Sequence, residues 1–83
     1  MKVTVRYFAS IREVLGSGES VEVEPGATVG AVRDTLIRHG ALHAGALARG
    51  NALRCALNQT LCDESTVVPE GAEVAFFPPV TGG

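Results

Sequence analysis

Few side chains in this chain could carry chemistry, and each can be weighed against its neighbours. Cys55 and Cys62 are the two thiols. Cys55 falls in phase with Leu53 and Leu57, which makes it a core thiol, and no base adjoins it in sequence to favour a thiolate. Two cysteines are too few for a disulfide framework, and their spacing fits no zinc motif. If Asn58-Gln59 is a two-residue hairpin turn, the two cysteines sit opposite each other; a cytosolic setting argues for free thiols. His39 and His43 are conceivable metal ligands. Gly40 breaks the helix between them, however, and His39 has a sufficient role against a helix C-terminal dipole, so no metal is expected there. Gly16-Ser17-Gly18 lacks the lysine and the helix of a phosphate cradle and reads as a loop between strands.

What remains is the end of the sequence, Pro78-Pro79-Val80-Thr81-Gly82-Gly83. It has no apolar periodicity and ends on two residues without side chains. Such a tip can enter a slot that any β-carbon would block. From Pro79 to Gly83 it can reach roughly 17 Å from a folded body. A frayed terminus rich in small residues is the plainer alternative.

Composition narrows the field. The chain has 83 residues, 7 basic and 9 acidic side chains and a net charge of −2, so one domain is expected and no basic field for nucleic acid or anionic lipid. No apolar run approaches the ~20 residues of a membrane span, and Met1-Lys2 leads directly into strand-like alternation without a secretory apolar region. A cytoplasmic protein is expected.

The elements that must position the tail follow from hydrophobic period. Residues 2–8 alternate, with Val3, Val5 and Tyr7 on one face and Lys2, Thr4, Arg6 and Phe8 on the other. Ser10 to Leu15 suits a short helical turn. Ser20 to Glu24 alternates again, and antiparallel pairing would set Lys2 and Arg6 near Glu22 and Glu24. Thr28 is a good N-cap for a helix whose Val29, Val32 and Leu36 form an apolar stripe, with Arg33, Asp34 and Arg38 facing water. Gly40 would supply the left-handed residue beyond that helix, and Gly30 would weaken it. Residues 41–50 suit a short second helix. Leu53 to Leu57, Thr60 to Cys62 and Glu73 to Phe77 read as strands, and Pro78-Pro79 ends the pairing. One helix over a sheet leaves the sheet's far face wet, so Phe8 and Phe77 point to solvent as a contact surface unless a loop covers them. The class is α+β, a mixed sheet of about five strands on one main helix.

Val74-Ala75-Phe76-Phe77-Pro78-Pro79-Val80-Thr81-Gly82-Gly83 resembles the terminus of the sulfur-carrying small subunits of molybdopterin synthase, the MoaD family of ubiquitin-like β-grasp proteins. Tyr7-Phe8-Ala9-Ser10-Ile11-Arg12-Glu13 and Leu57-Asn58-Gln59-Thr60-Leu61 support the likeness, which spans essentially the whole chain. The resemblance implies a β-grasp domain over residues 1–78 and a flexible tail over 79–83. It implies that an E1-like adenylyltransferase, using ATP, activates Gly83, and that a persulfide protein then converts it to a thiocarboxylate. Gly82 would be the slender approach to it. Sulfur would pass to a cyclic pyranopterin monophosphate in the large subunit of a heterotetrameric synthase. Phe8, Arg12, Phe77, Pro78, Pro79, Val80 and Thr81 would be read by the partners. The chain itself would bind no cofactor or metal and have no active site of its own. Related carriers serving thiamine or tRNA thiolation or lysine conjugation, and a plain ubiquitin-like interaction module, are the alternatives.

Overall fold

The computed structural model describes residues 1–79. The elements run β1 (Lys2–Tyr7), α1 (Ala9–Leu15), β2 (Gly18–Glu22), α2 (Val29–Ile37), α3 (Ala41–Leu47), β3 (Arg54–Leu57), β4 (Thr60–Cys62) and β5 (Glu73–Phe77). They form one five-stranded sheet in the order β2-β1-β5-β3-β4. β1 and β5 run parallel, with Tyr7 beside Phe76, and the other neighbours are antiparallel. The sheet is therefore mixed, and its first and last strands lie side by side.

The alternation predicted for β1 is what the sheet uses. Val3, Val5 and Tyr7 are buried beneath the helices, while Lys2, Thr4, Arg6 and Phe8 are exposed. Val21 from β2, Val74 and Phe76 from β5, and Val29, Val32 and Leu36 from α2 close the core against them. Thr28 caps α2 as its sequence position suggests, its hydroxyl accepting from the Ala31 amide at 3.1 Å. Asn58 and Gln59 both have positive φ (48° and 69°), the conformation of the tight hairpin turn that matches strand twist, and the turn joins β3 to β4. Asn58 also holds this turn to β5, exchanging hydrogen bonds with Glu73 through its backbone N–H (2.8 Å) and side-chain Oδ1 (2.9 Å).

Three expectations are corrected. Arg33 does not face water: it is 3% exposed. α3 and the chain after it fold over that side of α2, which single-helix periodicity could not register. The guanidinium is fully engaged there. Nε donates to Leu47 O at 2.8 Å, Nη2 to Ala48 O and Asn51 O at 2.6 and 3.1 Å, and Nη1 to Glu64 Oε2 at 2.7 Å. Asp34, on the same side, is held by Arg49 at 2.8 Å, and Arg49 also pairs with Glu64. Gly40 is not left-handed: its φ of 160° is extended, and it precedes α3, accepting from Ala44 N at 2.9 Å. α2 ends instead on Arg38 in a right-handed conformation. Arg6 lies across from Gly18, and its charge is met at 3.7 Å by Glu73 on β5, not by β2.

Gly30, expected to weaken α2, has a close neighbour there. Its amide donates to Glu64 O at 2.9 Å, and a β-carbon there would meet Glu64 O and Oε1 at 3.3 Å. The residue that weakens an isolated helix lets the 63–66 segment pack onto α2 in the folded chain. Arg33→Ala would leave three backbone carbonyls short of a donor in a dry region, and we expect it to lower unfolding free energy by about 2–4 kcal/mol. Arg33→Lys should recover less than half of this, since an ammonium lacks the guanidinium fork. Urea unfolding of the three proteins measures both effects.

Candidate functional site

Residues paired across the sheet build a groove on its open face. One row runs through all five strands: Gly18 on β2, Arg6 on β1, Ala75 on β5, Ala56 on β3 and Leu61 on β4. Ala75 and Ala56 are directly opposed in register and only 8% and 7% exposed, so the centre of this face is a floor of methyl groups. Larger side chains rise around it. Arg6, Phe8, Gln59, Leu61, Glu73 and Phe77 complete the lining of a cavity of about 360 Å³. Two small residues flanked by bulky ones on a pleated surface make a concavity.

The rim is apolar with one neutralised charge pair. Phe8 is 41% and Leu61 62% exposed, and Phe77 is half-buried, so the three group apolar surface around one concavity. The Arg6 guanidinium lies 5.9 Å from the centre of the Phe8 ring, within cation–π reach, and also faces Glu73. Phe8 sits where β1 gives way to α1, and Ala9 next to it has a positive φ of 55°. That conformation is uncommon for a residue with a β-carbon, and it turns the chain sharply from strand into helix.

The open-face phenylalanines of the sequence reading are thus brought together, with Pro78 half-buried and Pro79 exposed beyond the last ladder residue. Arg12 is not part of the groove; it lines a separate shallow depression on α1 with Ala9, Ser10 and Glu13. Val80, Thr81, Gly82 and Gly83 lie outside the described residues. Sequence reasoning missed Arg6, Gln59, Leu61, Glu73 and the two alanines as lining. The signal for Ala56 and Ala75 was strand alternation, which places each out of phase with its core neighbours.

Cys55 and Cys62 are register partners, as the hairpin turn requires, with sulfurs 3.9 Å apart and no disulfide. Burial, reinforced by the neighbouring Cys62, pushes the Cys55 thiol up to about 12, so at neutral pH it is no nucleophile.

This is a ubiquitin-like β-grasp fold with an apolar groove beside the exit of its last strand. The chain belongs to the ThiS family, whose sequence pattern matches residues 5–83. It is 44% identical over 82 residues to the molybdopterin synthase sulfur carrier subunit of Haemophilus influenzae, covering 98% of this chain and 99% of that one. Among solved structures it is similar to SAMP1 from Haloferax volcanii, with 28% identity, full coverage of both chains and a TM-score of 0.80. The fold also matches a chain from the complex of subunits 1 and 2 of molybdopterin-converting factor from Helicobacter pylori, with a TM-score of 0.67, 24% identity and full coverage of both chains. The terminal motif and its ubiquitin-like relatives therefore agree. Among the described residues, no helix is long and apolar enough to cross a membrane.

The two thiols should differ in reactivity, because Cys55 is buried and Cys62 only partly so. Under native conditions we expect iodoacetamide to modify Cys62 well before Cys55, and peptide mass mapping at short times reads the order.

Proposed function

We propose that this chain is the sulfur carrier subunit of a molybdopterin synthase. The observation that carries the reading is its 44% identity, over nearly all of both chains, to a protein of that name. The groove supports it in kind. An apolar, concave face next to the strand that leads into the tail can seat a partner while the terminus reaches into that partner's pocket.

The chemistry needs little from this chain beyond presentation. The Gly83 carboxylate is ionised at neutral pH and a poor electrophile. An E1-like adenylyltransferase joins it to AMP with release of pyrophosphate. The terminal sulfur of a protein persulfide displaces AMP to form an acyl disulfide, and a second thiol then attacks the persulfide protein's own sulfur, forming a disulfide there and releasing the thiocarboxylate. This terminal sulfur is a better nucleophile than the oxygen it replaces. Docking through Phe8 and Phe77, with Pro78, Pro79, Val80 and Thr81 read as an extended strand, brings it to a cyclic pyranopterin monophosphate held by the large subunit. Two charged carriers supply one dithiolene, in keeping with a heterotetramer of two of each chain. Arg12 stands outside the groove, on α1, so any partner contact it makes is separate from the phenylalanines. Acid–base and phosphate-binding groups belong to the partners, and ATP is the activating enzyme's substrate.

A second reading, attachment of the activated terminus to protein lysines, has support in the likeness to SAMP1, whose Haloferax volcanii form is a small archaeal modifier protein. Intact-mass measurement of the chain from cells separates the two: a sulfur-for-oxygen mass increase marks the carrier, and adducts on other proteins mark the modifier. Deleting Gly83 should abolish the thiocarboxylate while leaving the thermal unfolding curve unchanged. A truncated chain that still acquired sulfur would overturn the assignment. Phe77→Ala should weaken binding to the large subunit by ~1–3 kcal/mol, as expected for a ring desolvated on docking, and calorimetric titration measures it.

A further inference from the structure

On the helical side of the sheet, three side chains that sulfur carriage leaves unused converge from three elements. Glu19 lies on β2 two residues before the buried Val21 and so faces the helices; His39 follows α2; His43 is in α3. One ligand atom from each lies within 4.8 Å of the others. His43 Nε2 is 2.7 Å from Glu19 Oε2, and the two imidazoles meet edge to face with centres 5.3 Å apart. The break at Gly40, which argued against a metal in the sequence, does not part the histidines. α3 sets off so that both rings point to the same carboxylate.

The carboxylate is itself held in place. The hydroxyl of Tyr7, a residue 1% exposed, donates to Glu19 Oε2 at 2.7 Å. Such a donor behind a ligating carboxylate fixes its orientation, the usual support of a metal ligand. Burial pulls the Glu19 carboxyl upward, but hydrogen bonds from Tyr7 and His43 outweigh it and keep the group ionised well below neutrality. Among the described residues, no lysine or arginine is ion-paired with Glu19 to compete with an added cation.

We propose that Glu19, His39 and His43 form a binding site for a divalent transition-metal ion of the zinc class, with a fourth position open to solvent. Two imidazoles and a carboxylate are a donor set that zinc accepts, whereas magnesium and calcium select oxygen ligands. Tetrahedral zinc with bonds of ~2.0–2.1 Å brings ligand atoms to roughly 3.4 Å from one another, so the farthest pair must close by up to about 1.4 Å while His43 Nε2 and Glu19 Oε2, now 2.7 Å apart, must part slightly. His39 can supply that movement: its side chain is exposed and its ring packs edge to face with that of His43. His43 Nε2 exchanges its contact with Glu19 for the metal, and the neutral ring then carries its proton on Nδ1. An ion held here ties the edge strand β2 to the α2–α3 junction and leaves the groove on the opposite face untouched.

The test is calorimetric titration of Zn²⁺ into the full chain without added histidines, with His39→Ala, His43→Ala and a Cys55→Ser/Cys62→Ser double variant beside it. Losing even an outer support of a metal ligand costs roughly 10–100-fold in affinity, so each histidine variant should lose at least about tenfold. The cysteine double variant should bind as the parent does. Co²⁺ should give a visible spectrum without a thiolate-to-metal charge-transfer band. The proposal is overturned by absence of Zn²⁺ binding, by histidine variants that bind as the parent does, or by loss of binding in the cysteine variant. His39→Ala removes an exposed side chain and keeps the experiment independent of folding, and no readout depends on sulfur transfer.

Discussion

The parallel pairing of β1 with β5 is the constraint on which the rest depends. It places the two strands with the most complete apolar alternation at the centre of the sheet, Val3, Val5 and Tyr7 beside Val74 and Phe76, where α2 can cover both. A parallel pair cannot be closed by a tight turn, so everything between β1 and β5 must serve as crossover. That crossover contains the hairpin partner β2, the covering helices and the β3–β4 hairpin that completes the other side. The same pairing carries the chain out of the sheet from a central strand. The two prolines therefore leave the body next to the middle of the open face, and the groove and the exit are neighbours by topology.

The second organising element is polar. A small domain has little apolar surface to bury, and here α2, α3 and the 48–66 region are joined around one buried guanidinium, Arg33, and one half-exposed one, Arg49. Arg33 satisfies three carbonyls that end α3 and begin the next loop, groups that would otherwise face a dry interior without donors. Gly30 permits the close approach of Glu64 that completes this network. Two residues that look like a solvated face and a helix defect thus form one joint in the folded chain.

The groove and the histidine cluster lie on opposite faces of the sheet, as period-two alternation requires. Arg6 and Phe8 project to the open face and Tyr7, between them, to the helical one, where its hydroxyl reaches Glu19. A single strand thereby lines the groove on one side and a polar cluster on the other, and a substitution at one site need not disturb its counterpart.

Local pattern alone determined the strands (though β2 runs Gly18–Glu22, two residues before the expected Ser20–Glu24), the main helix with its Thr28 cap, the Asn58-Gln59 turn that sets Cys55 against Cys62, and the terminal motif that marks the family, because each depends on residues close in sequence. The face of the sheet occupied by Phe8 and Phe77 was legible for the same reason. Only the tertiary structure decided which strands are neighbours, and with that the pairing of Arg6 with Glu73 across β1 and β5 and the alanine floor shared by β3 and β5. It also decided the burial of Arg33, the close approach of Glu64 to Gly30 and the meeting of His39 and His43 with Glu19. Each of these joins residues at least a dozen positions apart or depends on how α3 turns from α2. Sequence period reports which side of an element is apolar, but not what other part of the chain will come to cover the polar side.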